Sequence, residues 1–74
     1  MSFAVPEGLV VFSKSNCPTC EELKAKLKEQ ETEYTEIKID AKPEARDFII
    51  SKGFRSMPVV FKNGNSVSVY EVVQ

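Results

Sequence analysis

The sequence predicts an α/β fold: a four-stranded mixed sheet, ordered βαβ and then αββ, with helices on its faces. Three observations predict it. Short apolar or alternating runs trade places along the chain with segments of helical periodicity. Each helical segment opens at a proline, Pro18 or Pro43, where the missing N–H would be unpaired anyway. Asn63-Gly64, a strong short hairpin signal, joins the last two strand-like runs. The first strand–helix–strand unit is then a parallel crossover, right-handed by the general rule. The hairpin is antiparallel, so the sheet is mixed.

Leu9-Val10-Val11-Phe12 is a continuous apolar run rich in β-branched and aromatic residues, the pattern of a strand buried on both faces. Ser13-Lys14-Ser15-Asn16 is turn-like, with Ser15 and Asn16 as candidate helix caps. Pro18 suits a first helical position. The helix continues from 19 to about 30, with Cys20, Leu23 and Leu27 on one face. Glu21 and Glu22 near its start, and Lys26 and Lys28 near its end, agree with the helix dipole. Residues 34–39 alternate: Thr35, Ile37 and Ile39 point to a core, while Tyr34, Glu36 and Lys38 point away. That is an edge strand. Asp40-Ala41-Lys42-Pro43 turns the chain into a second helix with Ala45, Phe48 and Ile49 inward and Gly53 as its stop. Pro58-Val59-Val60-Phe61 is a third strand, opening at the position where a strand tolerates proline. A fourth strand covers residues 66–70. Phe54, Phe61 and Tyr70 are assigned to the core from residue type.

Composition narrows the function. One domain is expected over all 74 residues, with 1–7 as a leader and 71–74 as a tail. The 42% hydrophobic and 28% charged content is that of a globule rather than a disordered chain. Ten Lys+Arg against eleven Asp+Glu give a net charge of -1, so nucleic acid is not an expected partner. No apolar run nears the roughly 20 residues that span a bilayer. Residues 1–6 are too short for a signal peptide. A cytoplasmic monomer without a membrane partner is the expectation.

The chain has two cysteines, Cys17 and Cys20, and no His. A disulfide across so short a loop restricts the unfolded chain very little, so fold stabilisation does not account for the pair. Zinc takes four ligands, and one Cys-x-x-Cys without His is half a site, so no metal is expected. Cys-x-x-Cys at a strand-to-helix junction is instead a redox signal. The thiolate is the nucleophile, and the unpaired N–H groups of a helix start favour negative charge at Cys17. Lys14 is near enough in sequence to add to that, while Glu21 and Glu22 oppose it. Cys17 is thus the expected exposed attacker and Cys20 the sheltered partner that resolves the mixed disulfide.

Phe12-Ser13-Lys14-Ser15-Asn16-Cys17-Pro18-Thr19-Cys20 resembles the active-site segment of the glutaredoxins, a branch of the thioredoxin fold. Lys42-Pro43-Glu44-Ala45 and Gly53-Phe54-Arg55-Ser56-Met57-Pro58-Val59-Val60 look more specifically like the NrdH-redoxins, electron donors of ribonucleotide reductase. The resemblance covers residues 8–70. It implies a compact thioredoxin/glutaredoxin-like fold and a cis Met57–Pro58 bond facing Cys17, with the Met57 backbone pairing against bound substrate. Lys14, Pro18, Thr19, Met57 and Pro58 are the implied substrate-binding residues. Glutaredoxins carry a Gly-Gly pair and an acidic residue after the fourth strand to hold glutathione. Here the stretch reads Ser68-Val69-Tyr70-Glu71-Val72, so weak use of glutathione is expected. The last helix of the family is expected to be missing or one turn long.

The function expected is dithiol–disulfide oxidoreduction through a redox-active Cys17–Cys20 disulfide, with no bound cofactor. The substrate is a protein disulfide, with ribonucleotide reductase as the implied recipient and thioredoxin reductase or glutathione as reductant. Three alternatives stand beside it: a glutathione-dependent glutaredoxin acting on mixed disulfides, a dimeric iron–sulfur or zinc carrier using Cys17, and a partner-binding scaffold with incidental thiols. Lys14, Lys52, Arg55 and Lys62 are a candidate basic rim for an acidic substrate segment. A shortened last helix would uncover apolar surface on the face of the first helix, and at least one of Phe3-Ala4-Val5 and Val72-Val73 is expected to cover it, with a homodimer as the alternative cover.

Overall fold

The computed structural model describes residues 3–73; Met1 and Ser2 of the expected leader and Gln74 of the tail lie outside the described residues. The elements are β1 (Leu9–Ser13), α1 (Pro18–Glu29), β2 (Thr35–Lys38), α2 (Pro43–Ser51), β3 (Val59–Lys62), β4 (Asn65–Val67) and α3 (Val69–Val72). They build one sheet in the order β2-β1-β3-β4. β1 runs parallel to β2, with Val10 opposite Thr35, and antiparallel to β3, with Val10 opposite Phe61. Flanked on both sides and covered on both faces, it buries Val10, Val11 and Phe12 completely. β3 and β4 are antiparallel. Asn63 and Gly64 hold φ of 51° and 84°, the left-handed pair that a two-residue hairpin needs. The Asn63 side chain also accepts the Gly8 N–H at 3.1 Å, fastening the hairpin to the start of β1.

Side-chain alternation sends β1 and β3 residues to two separate cores. On one face Val10, Phe12, Val59 and Phe61 meet Ala45 and Ile49 of α2. On the other, Val11 and Val60 meet Leu23 and Leu27 of α1. The helices therefore lie on opposite faces of the sheet. No helix among the described residues is long and apolar enough to cross a membrane.

Several expectations are corrected. Neither Ser15 nor Asn16 caps α1. Asn16 takes φ 55°, and Cys17 itself is the N-cap. Thr35 is exposed, and Tyr34, expected to point away from a core, packs on the α1 core; Ile37 and Ile39 pack on the α2 core as expected. The fourth strand stops at Val67 rather than reaching residue 70. Ser68 instead caps α3, with the Glu71 carboxylate on the Ser68 N–H at 2.8 Å and the Ser68 hydroxyl oxygen on the Tyr70 N–H at 3.2 Å. Tyr70 is consequently not core but 89% exposed. The last helix is thus a single turn. Val69, Val72 and Val73 cover the α1 face, and Phe3 and Val5 pack on the α2 face instead. Phe3 is drawn there by rings, lying 6.0 Å from Phe12 and 5.5 Å from Phe48, centroid to centroid.

Candidate active site

Local sequence makes the site. β1 ends at Ser13, the Asn16 left-handed turn redirects the chain, and Pro18 starts α1 at once. Cys17 is left at the N-cap with Cys20 one turn inside, and the two form a disulfide. The Cys17 carbonyl accepts the Glu21 N–H at 3.1 Å, the first bond of the helix. Its sulfur accepts the Cys20 N–H at 3.3 Å, so a helix-start donor that would otherwise be orphaned points at the reacting atom. Cys20 is 0% exposed beneath the first turn.

Cys17 is less exposed than its expected role implied. It retains 5% exposure, because the sulfur turns inward toward the loop before β3 rather than outward. That loop carries the cis Met57–Pro58 bond that the resemblance implied. The Met57 carbonyl oxygen lies 3.8 Å from the Cys17 sulfur and accepts the Thr19 hydroxyl at 3.2 Å. The same hydroxyl oxygen is 3.3 Å from the Cys17 sulfur. Asn16, Pro18 and Glu21 line the outward side of Cys17. Cys17, Cys20, Thr19 and Met57 are thus brought together, with Pro18 and Pro58 as the bends that present them.

Two recesses leave this point. One is a mainly apolar groove that passes Thr19 and Pro58 to Leu23, Val69, Tyr70 and Val73. The other is lined by Met57, Phe54 and Ile50 with Lys14, Arg46 and Arg55. Lys14 belongs to this second recess and does not line the Cys17 opening. Of the expected basic rim, Lys14 and Arg55 share the recess. Lys52 lies over the Phe48 ring, and Lys62 sits opposite Leu9 at the far end of the sheet. Arg46 joins them, although nothing in the helical pattern of α2 marks it. The groove wall at Val69 and Tyr70 was also missed. Its signal was present: Ser68-Val69-Tyr70-Glu71 is a capping-box sequence.

A charged group lies on α1 one turn beyond Cys20. Lys24 Nζ is 2.7 Å from Glu21 and 2.8 Å from Glu36 of β2, and the buried Ser13 hydroxyl donates to Glu36 at 2.8 Å. These two carboxylates hold the Lys24 pKa well above the usual lysine range. Lys24, with help from Ser13, holds Glu36 below the ordinary carboxylate value. The pairing offsets part of the negative charge that Glu21 brings to the Cys17 opening. Among the described residues, no cluster of three His, Cys, Asp or Glu side chains can hold a metal ion.

A model of the glutaredoxin family matches residues 9–67. The chain is 42% identical over 55 residues to the glutaredoxin-like protein NrdH of Lactococcus lactis subsp. cremoris, covering 74% of this chain and 76% of that protein. It is 29% identical over 53 residues to the glutaredoxin-like protein NrdH of Salmonella typhimurium, covering 72% and 65%. The NrdH-redoxin structure of Escherichia coli, described for a thioredoxin-like activity profile, matches with a TM-score of 0.75. Its identity is 27%, over 81% of this chain and 79% of that one. A buckwheat glutaredoxin–glutathione complex matches with a TM-score of 0.69 and 28% identity, over 81% of this chain and 58% of that one.

Proposed function

The chain belongs to the glutaredoxin family, whose members are thiol–disulfide oxidoreductases, and from that premise we propose that it is a dithiol electron donor to protein disulfides, with Cys17 attacking and Cys20 resolving. The observation that carries this reading is the Cys17–Cys20 disulfide across the first turn of α1, with its outer sulfur at the N-cap and its inner one fully buried. In the reduced protein the Cys17 thiolate attacks one sulfur of a substrate disulfide. That S–S bond breaks, and the departing substrate sulfur takes a proton. Cys20 then loses its proton and attacks Cys17, closing the internal disulfide and releasing the second substrate sulfur as a thiol. Two electrons and two protons have passed to the substrate.

Similarity to the NrdH proteins supports ribonucleotide reductase as recipient and a cytoplasmic setting. The Met57 carbonyl near the Cys17 sulfur, with Pro58 following it, supports a substrate that docks there through backbone, with Pro18 and Thr19 beside Cys17 and Lys14 in the adjoining recess. Thioredoxin reductase is the favoured reductant, because the Ser68 and Tyr70 N–H groups are taken by the chain's own Glu71 and Ser68. Reduction of a model protein disulfide by NADPH tests this, with either thioredoxin reductase or glutathione plus glutathione reductase supplied. Turnover should be faster with thioredoxin reductase; a faster glutathione arm identifies a glutathione-dependent glutaredoxin. Cys17→Ser should abolish activity, and Cys20→Ser should trap a mixed disulfide. Equal residual activity in the two variants would refute the division of roles.

A further inference from the structure

The Thr19 hydroxyl has one proton and two acceptors within reach, the Met57 carbonyl at 3.2 Å and the Cys17 sulfur at 3.3 Å. Turning from one to the other needs only rotation about the Cβ–Oγ bond. In the disulfide, Cys17 sulfur is neutral and a weak acceptor, so the carbonyl wins. A thiolate is charged, and charge-assisted hydrogen bonds are roughly twice as strong as neutral ones. We propose that Thr19 is a redox-switched donor: it holds the Met57 carbonyl in the oxidised protein and turns to the Cys17 thiolate on reduction, leaving that carbonyl open.

The surroundings make the hydroxyl consequential. Apart from the Cys20 N–H, the polar atom facing the Cys17 sulfur across this gap is the Met57 oxygen, 3.8 Å away. An oxygen opposite an anion is unfavourable, while a neutral thiol can donate to it. Removing the Thr19 hydroxyl therefore destabilises the thiolate and leaves the carbonyl free to stabilise the thiol. Both effects raise the Cys17 pKa. The thiolate is poised for attack as the carbonyl becomes available to a substrate N–H.

This inference rests on the dithiol-donor reading, but its test does not need a substrate. The pH dependence of Cys17 alkylation is measured on the full chain carrying Cys20→Ser, so that one thiol reports. Adding Thr19→Val, which keeps the shape and removes the hydroxyl, should raise the midpoint by about one unit, a tenfold loss of thiolate at acidic pH. Thr19→Ser should restore the original midpoint. With 13C at the methionine carbonyls of the otherwise unaltered chain, Thr19→Val should move the Met57 resonance in the oxidised protein and much less in the reduced one. An unmoved alkylation midpoint, with KM for a model protein disulfide raised instead, would show that Thr19 only lines the groove. An equal Met57 displacement in both redox states would overturn the switch. A protein that fails to reduce disulfides refutes the functional reading while leaving both Thr19 measurements interpretable.

Discussion

One Glu36 oxygen takes hydrogen bonds from Lys24 and from the buried Ser13, both at 2.8 Å, and this is why its pKa lies below the ordinary value. The unfolded chain binds the proton more tightly than the folded one. The contribution to stability is therefore complete above the ordinary carboxylate pKa, about 4.3, and is lost as pH falls through the folded value. Denaturation midpoints should drop on acidification below about pH 4.3, and Glu36→Gln should flatten that decline. Asp40, lowered by hydrogen bonding from Ser15, keeps a residual slope in the variant. Because the pair with Lys24 is partly solvated, the same variant should cost only about 0.5–1 kcal/mol at neutral pH. An acid limb unchanged by Glu36→Gln would assign it to other carboxylates. At this scale the sequence was legible where chemistry is local: the Cys17–Cys20 spacing, Pro18 as first helical residue, and the Asn63-Gly64 turn all stand as read. Cys17 as its own helix cap was not legible, since caps are sought among oxygen-bearing side chains. The contact of Thr19 with the Met57 carbonyl depends on two segments distant in sequence, and no local pattern encodes it.

α3 shows how two local signals compete. Alternation over residues 66–70 reads as strand, whereas Ser68-x-x-Glu71 reads as a helix start. The capping box wins because it satisfies two backbone N–H groups at once, and β3 pairs only as far as Val67. The consequence is functional as well as structural. With the helix wound, Val69 and Val73 wall the groove beside Thr19 and Pro58, and Tyr70 stands out in solvent. Ser68→Ala removes the cap and should cost about 0.5–2 kcal/mol. If the wound turn shapes the groove, the same variant raises KM for a protein disulfide while leaving the Cys17 alkylation midpoint unmoved. A variant with reduced stability but wild-type KM would show the turn to be structural only. Gln30, the C-cap of α1, also holds this turn, its side-chain amide donating to the Val72 carbonyl at 3.0 Å.

Across the whole molecule, the first and last of the described residues close the two faces of one sheet. The sequence offered both spare apolar pieces as cover for the α1 face; Val72 and Val73 take it, while Phe3 and Val5 go to the α2 face. Both ends offer valines or phenylalanine of similar hydrophobicity, and what separates them is the shape of the site each meets. Phe12, Phe48 and Phe61 form an aromatic recess on the α2 face, which suits Phe3. Val11, Leu23, Leu27 and Val60 form an aliphatic one, which suits Val69, Val72 and Val73. The two closures differ in consequence, because the aliphatic one also walls the groove at the redox site and the aromatic one does not. Phe3→Ala should therefore lower stability by about 1–2 kcal/mol, less than for a fully buried phenylalanine, because Phe3 is only partly buried. Disulfide reduction by the folded protein should stay at the wild-type rate. Val69→Ser should lose a comparable amount of stability and, in addition, slow reduction of a protein disulfide. Denaturant midpoints and turnover, measured on both variants at a temperature where each is folded, separate the two closures. Equal loss of turnover in both would mean that the α2 face, through Met57 and the recess of Lys14 and Arg55, participates in substrate docking as fully as the groove does.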